Sequence, residues 1–139
     1  MKHSEGQGGY DVVLDTNIFI SGIFWRGDSY KMLQLWGDGD IRVIISEEII
    51  EEISRVLRAF KIRLPEESIN RRIASIRENS IIVEPKEKFS IVEHSSDNKF
   101  IECAVAGNAD YIITNDKHLL KIKYFRNILI MTPKEFLSI

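Results

Sequence analysis

Four carboxylates in this chain stand where chemistry is conceivable: Asp15, Glu52, Asp97 and Asp116. Asp15 ends the apolar run Val12-Val13-Leu14, and Thr16 and Asn17 follow it before a new apolar segment opens at Ile18. That pattern reads as a buried strand delivering an acid to its carboxyl tip, with a helix starting just beyond. Asp116 repeats the arrangement after Tyr111-Ile112-Ile113-Thr114-Asn115. In open α/β sheets, ligands gather at such strand tips. Asp97 projects onto the helix face marked by Phe100, Ile101, Ala104 and Val105, where a carboxylate is costly unless paired or bound to a cation. Glu52 falls on the border of the helical stripe Ile49, Ile50, Ile53, Val56, Leu57 and Phe60 and can reach past the core edge, whereas Glu51 points nearly opposite, to water. Each acid alone also has an ordinary reading, as a helix cap, a turn former or a solvated border residue.

Taken together, the acids converge at the carboxyl edge of one sheet. Like charges that close need a counter-ion. No lysine or arginine apart from Lys117 is expected to stand among these acids, and Lys117 is expected to face outward. Ligation by oxygen alone, without clustered histidine or cysteine, points to Mg²⁺ or Mn²⁺ and away from zinc. Such ions clamp phosphate oxygens and activate water, so the implied chemistry is hydrolysis of a phosphate ester. Other acids need no such role. Glu47 and Glu48 suit the first turn of a helix, Glu102 is expected to point away from the buried face, and Asp110 reads as a turn residue.

The elements that position the acids alternate along the chain. Strands are expected near residues 10–14, 41–45, 81–83, 111–114 and 128–130. Helices are expected near 17–25, 30–36, 47–60, 65–79 and 97–107, with short ones at 119–120 and 133–137. Ser46, Pro65 and Thr132-Pro133 are start signals, and Gly37-Asp38-Gly39 and Gly107-Asn108 are stops. Residues 85–96 read as a loop with some extended character around 89–92. Short continuous apolar strands alternating with helices mean a parallel sheet covered on both faces. Residues 1–9, with Gly6, Gly8, Gly9 and a lone His3, read as a flexible tail before a single domain at 10–139.

Bulk properties set the frame. A chain of 139 residues, 44% hydrophobic and 29% charged, suits one globular domain with a real core. No apolar run is long enough to span a bilayer, no signal-peptide core precedes the first strand, and Cys103 has no partner for a disulfide, which together suit the cytoplasm. The net charge of −2 offers no global basic field for nucleic acid. Binding it would require a local basic patch and a divalent metal to offset the acids.

These residues resemble the PIN-domain family of metal-dependent ribonucleases over nearly the whole chain from Tyr10 onward. VVLDTNIFISG resembles the family's first motif, EEISRVL its helix motif with Glu52 as the aligned acid, and SSDNKFIECAVAGNADYIITNDKHLL its carboxyl-terminal signature with Asp97 and Asp116. MTPKEFL is typical of a VapC-like branch of toxins from toxin–antitoxin pairs. The resemblance implies a three-layer α/β/α sandwich with a five-stranded parallel sheet. It implies endonucleolytic cleavage of single-stranded RNA, with Asp15, Glu52, Asp97 and Asp116 holding one or two Mg²⁺ or Mn²⁺ ions. Thr16, Asn17 and Thr114 would orient ligands or substrate through hydrogen bonds. A small antitoxin and a homodimer are the partners implied. Two positions depart from the branch, which often has aspartate at both: His94, three residues before Asp97, and Asn98, directly after it. His94 reads as a loop histidine, with a contact to substrate phosphate or the metal as the alternative, and His118 reads as exposed.

Local basic clusters, Arg55–Arg58–Lys61–Arg63, Arg71–Arg72–Arg77 and Lys117–Lys121–Lys123–Arg126, read mainly as solvated faces, with phosphate contacts at the rim as the alternative. Trp25, Tyr30 and Trp36 read as packing in the core or at a dimer surface, with base stacking as the alternative. Three other classes stay open. A phospho-receiver domain would need an aspartate ending the third strand, where this chain has Val83-Glu84-Pro85. A PIN-like scaffold or RNA-processing protein without a toxin role would keep the fold, and a phosphomonoesterase would turn over nucleotide monophosphates.

Overall fold

The computed structural model describes residues 9–139. The expected tail, apart from Gly9, and His3 lie outside the described residues. Strand β1 (Tyr10–Leu14) carries the buried run Val12-Val13-Leu14 and lies at the middle of the sheet. On one side it pairs in parallel with β2 (Ile41–Ser46), which pairs in parallel with β3 (Ile81–Val83). On the other side it pairs in parallel with β4 (Tyr111–Ile113), which pairs in parallel with β6 (Ile128–Met131). These are the five parallel strands expected. A two-residue edge strand, β5 (Tyr124–Phe125), adds an antiparallel partner to β6, giving the order β3-β2-β1-β4-β6-β5. The sequence carries no glycine signal for it, because Lys123 (φ 70°) and Arg126 (φ 55°) take the left-handed conformations that glycine usually supplies.

Helices α1 (Thr16–Phe24) and α2 (Asp28–Gly37) follow β1, and α3 (Glu47–Ala59) and α4 (Glu66–Asn79) separate β2 from β3. Ser46 caps α3 through Ile49 N, and Thr132 with Glu135 forms a capping box on α7 (Pro133–Leu137). Helix α5 (Asn98–Ala106) is preceded by a 3₁₀ turn over Ser95–Asp97, so the helix begins one residue later than the sequence suggests. Strand alternation sends β2 side chains to both helical layers. Val43 lines a groove with Phe19 of α1, while Ile44 meets Gly107 at the end of α5. No described helix is long and apolar enough to cross a membrane.

Gly107 is required by close approach. A Cβ there would lie 2.4 Å from Ile44 Cγ2, and Ile44 is itself 2% exposed and cannot swing aside. Gly107→Ala is expected to destabilise the fold by about 1–3 kcal/mol through overpacking, read from urea denaturation midpoints.

Residues 85–92 form neither helix nor strand, in keeping with the loop expected over 85–96. Helix α5 anchors this loop. Asn98 Oδ1 accepts from Ile91 N and Val92 N, both at 3.0 Å, and Glu102 Oε2 accepts from Phe89 N at 3.0 Å. Glu102 is therefore buried under the loop rather than turned to water, since the loop covers the face that helical periodicity leaves exposed. Cys103 is buried as expected, and desolvation pushes its thiol up to about 12. Trp36 packs edge-on against Phe19 and donates its indole N–H to Asn79 O at 2.9 Å, whereas Trp25 is exposed.

Candidate metal centre

Asp15 directly follows β1 and caps α1, accepting from Ile18 N at 3.1 Å. The strand carries it into the sheet's interior, where it is 4% exposed. Burial drives its pKa up to about 6, with the charge of Asp116 adding to the rise and hydrogen bonds from Thr114 and the backbone of Ile18 and Asn17 opposing it. Asp116 caps the short helix α6 (Lys117–Leu120), accepting from His118 N at 2.7 Å. Thr114, fully buried at the end of β4, links the two. Its hydroxyl donates to Asp15 Oδ2 and accepts from Asp116 N at 2.9 Å. Thr114→Val is expected to cost about 2–4 kcal/mol, because it leaves a buried carboxylate oxygen without its donor and a backbone N–H without its acceptor. Equilibrium urea unfolding measures this.

Asp97 closes the 3₁₀ turn and is buried. Burial raises its pKa, and Asp116 raises it further through charge and through a hydrogen bond between the two carboxyl groups, against a lowering contact from His94 Nδ1 at 3.1 Å. Asp15, Asp97 and Asp116 are thus brought to one place, with Asp116 acting on both of the others.

Glu52 is held differently. It is half-buried on α3, where the stripe border placed it. Its Oε1 accepts from the buried Thr16 hydroxyl, and its Oε2 lies 3.1 Å from Lys99 Nζ and 3.9 Å from Arg55 Nη2. Lys99 corrects the expectation that no basic residue other than Lys117 enters these motifs. It is 8% exposed and sits inside the acidic region, while Lys117 faces out as expected. The available signal was a single lysine in the otherwise largely apolar helix NKFIECAVA. His94 is exposed, but its ring engages Asp97 and Ser96 and stands 5.8 Å from the ring of His118. His118 is half-buried, its Nδ1 3.1 Å from Glu93 Oε1. Asn17 is exposed at the start of α1.

The donor set is carboxylate oxygen, the hard chemistry that suits Mg²⁺ or Mn²⁺. Among the described residues, no lysine or arginine is seen paired with Asp15, Asp97 or Asp116. Asp116 disfavours the charged form of Asp97, a like-charge repulsion that a dication would relieve. The residues fit such an ion chemically, although no group of three or more His, Cys, Asp or Glu among the described residues already stands as a preformed cage. The basic clusters are partly engaged elsewhere: Arg58 pairs with Glu66, Arg77 with Glu47, and Arg126 with Glu87 at 3.2 Å.

A family model described as the PIN domain matches residues 11–118. No curated protein matches. Among solved structures, VapBC-1 from nontypeable Haemophilus influenzae is similar, with a TM-score of 0.61 and 19% identity, covering 89% of this chain and 98% of that one. VapBC2 from Rickettsia felis, bound to a DNA fragment from its promoter, is similar with a TM-score of 0.58 and 18% identity, covering 86% of this chain and 96% of that one. At these identities the solved structures support the fold, and the family match spans most of the chain, including Asp15, Glu52, Asp97 and Asp116. The chain belongs to the PIN-domain family, a family of nucleases.

Proposed function

We propose that this protein is a Mg²⁺- or Mn²⁺-dependent endoribonuclease that hydrolyses phosphodiester bonds of single-stranded RNA, acting in the cytoplasm as the toxin of a toxin–antitoxin pair. The observation that carries the reading is the placement of Asp15, Asp97 and Asp116 at the tips of β1 and β4 and the start of α5, where the charge of Asp116 acts on both of the others and no lysine or arginine among the described residues is seen paired with them. These three would hold the metal, and Glu52 stands beside them, paired with Lys99. The bound ion supplies charge for the scissile phosphate and an acidified water.

The protein's own groups do the positioning. The Thr114 hydroxyl and the Ile18 N–H fix the Asp15 carboxylate, and the His118 N–H fixes that of Asp116. Thr16 orients Glu52. Asn17 and His94 are both exposed and would donate hydrogen bonds to an incoming phosphate. The VapBC structures that share the fold are toxin–antitoxin complexes, which supports a small antitoxin as partner; a homodimer of this chain is part of the same reading.

Cleavage of a fluorogenic single-stranded RNA with Mn²⁺, Mg²⁺ or EDTA tests the proposal. Cleavage that requires the metal and is stopped by EDTA is the expected result. Cleavage indifferent to EDTA, or none on any RNA pool at any metal concentration, would refute it.

A further inference from the structure

We infer that Lys99 is a fixed internal cation that closes off Glu52 and so confines the acidic site to a single divalent ion, held by Asp15, Asp97 and Asp116. This rests on the nuclease reading above. Lys99 projects from the first turn of α5 and is 8% exposed, an unusual state for a lysine unless it is paired. Its ammonium donates to Glu52 Oε2 at 3.1 Å and to Ser96 O at 2.6 Å, and lies 5.4 Å from the centroid of the Phe100 ring. The other oxygen of Glu52 accepts from Thr16, and Arg55 adds a second positive group at 3.9 Å. Both oxygens of Glu52 are therefore engaged, and two cations face it.

A dication binding Glu52 would have to displace a buried ammonium from its partner or lie against it at like charge. Either is costly where water is scarce. No lysine or arginine among the described residues is seen paired with Asp15, Asp97 or Asp116, whose one basic contact is the exposed His94 ring on Asp97, so the charges divide into two groups: a closed Glu52–Lys99 pair and an open trio. Ser96 O belongs to the 3₁₀ turn that carries Asp97. Lys99 is thus also a positioning residue, tying helix α3 through Glu52 to the turn that presents Asp97. A glutamate read from the sequence as a direct metal ligand becomes, in this arrangement, the anchor for a lysine.

The test is a Mn²⁺ titration of the full chain by calorimetry, with electron paramagnetic resonance to distinguish isolated from coupled ions. The wild type is expected to bind one ion with a mononuclear signal. Glu52→Gln is expected to keep that ion with affinity changed less than about threefold, whereas Asp97→Asn loses more than the roughly 100-fold that removal of an outer partner costs. Lys99→Met frees Glu52 and is expected to add a second ion, and Lys99→Arg to restore one. Two ions on the wild type, a Glu52→Gln loss as large as that of Asp97→Asn, or a single ion on a folded Lys99→Met would each overturn the inference while leaving the nuclease reading standing. No ion bound by the wild type would remove both. Should Lys99→Met not fold, the Glu52→Gln arm decides alone.

Discussion

Replacing Asp97 or Asp15 by asparagine is expected to lower the rate of RNA cleavage by about 10³-fold while the fold survives. The amide has nearly the same shape as the carboxyl group it replaces, so packing is preserved and only the charge is lost. Asn is also a good helix cap: at position 15 its oxygen can still accept from Ile18 N, with its amide in place of the oxygen that faced Thr114, and at position 97 it can still contact His94. What disappears is one of the three negative charges that would hold the ion. A catalytic metal is worth several kcal/mol of transition-state stabilisation, and about 4 kcal/mol corresponds to about 10³ in rate. Single-turnover cleavage beside circular dichroism of each variant measures both halves. Residual activity above about a tenth of wild type, in either variant, would take that acid out of the mechanism.

The metal-free protein is expected to become more stable as the pH falls from about 7 to about 4, the reverse of ordinary acid unfolding. Asp15 is the main cause. Burial raises its folded-state pKa from 3.8 to about 6. Between those values the folded chain binds a proton that the unfolded chain has released, so acidification favours the fold. The contribution approaches about 3 kcal/mol from a shift of this size and is fully lost above the folded pKa. Asp97 shifts in the same direction, while exposed Glu66 and Glu93 shift the other way through partners on the surface and contribute little. Asp15→Asn removes the ionised carboxylate and with it the penalty. In EDTA at neutral pH the variant should therefore melt higher than wild type, by on the order of 5–10 °C. Mn²⁺ should raise the melting temperature of wild type far more than that of the variant. Melting curves across pH, with EDTA or Mn²⁺, give all four quantities, and a wild type whose stability rises with pH over this window would contradict the assignment. The two predictions share one cause: the buried charge that weakens the metal-free fold is the charge that would hold the ion.

The sheet was legible because its strands announce themselves. Val12-Val13-Leu14, Val43-Ile44-Ile45 and Tyr111–Ile113 are apolar runs too short for helices, and a cap residue that starts the next helix stands within three residues of each. Such signals are local, so they survive in a linear reading. The carboxylates at two of those tips were legible for the same reason. Glu52 was placed correctly at the edge of its stripe because helical periodicity fixes direction, and Glu51 was placed correctly in water.

What periodicity cannot convey is which element will cover an exposed face. Glu102 looks solvent-facing on its own helix and is buried by residues that lie upstream in the chain. Strand β5 has only two residues and pairs because the turn at Arg126 brings it back on β6. By itself, then, the sequence determined a parallel α/β fold and the set of acids at its carboxyl edge, because strand burial and helix capping act between near neighbours. The tertiary structure alone decided how those acids divide: Asp15, Asp97 and Asp116 together, Glu52 with Lys99. That division depends on a contact between residues 47 positions apart, and the electrostatics of a carboxylate are set by what stands beside it in space.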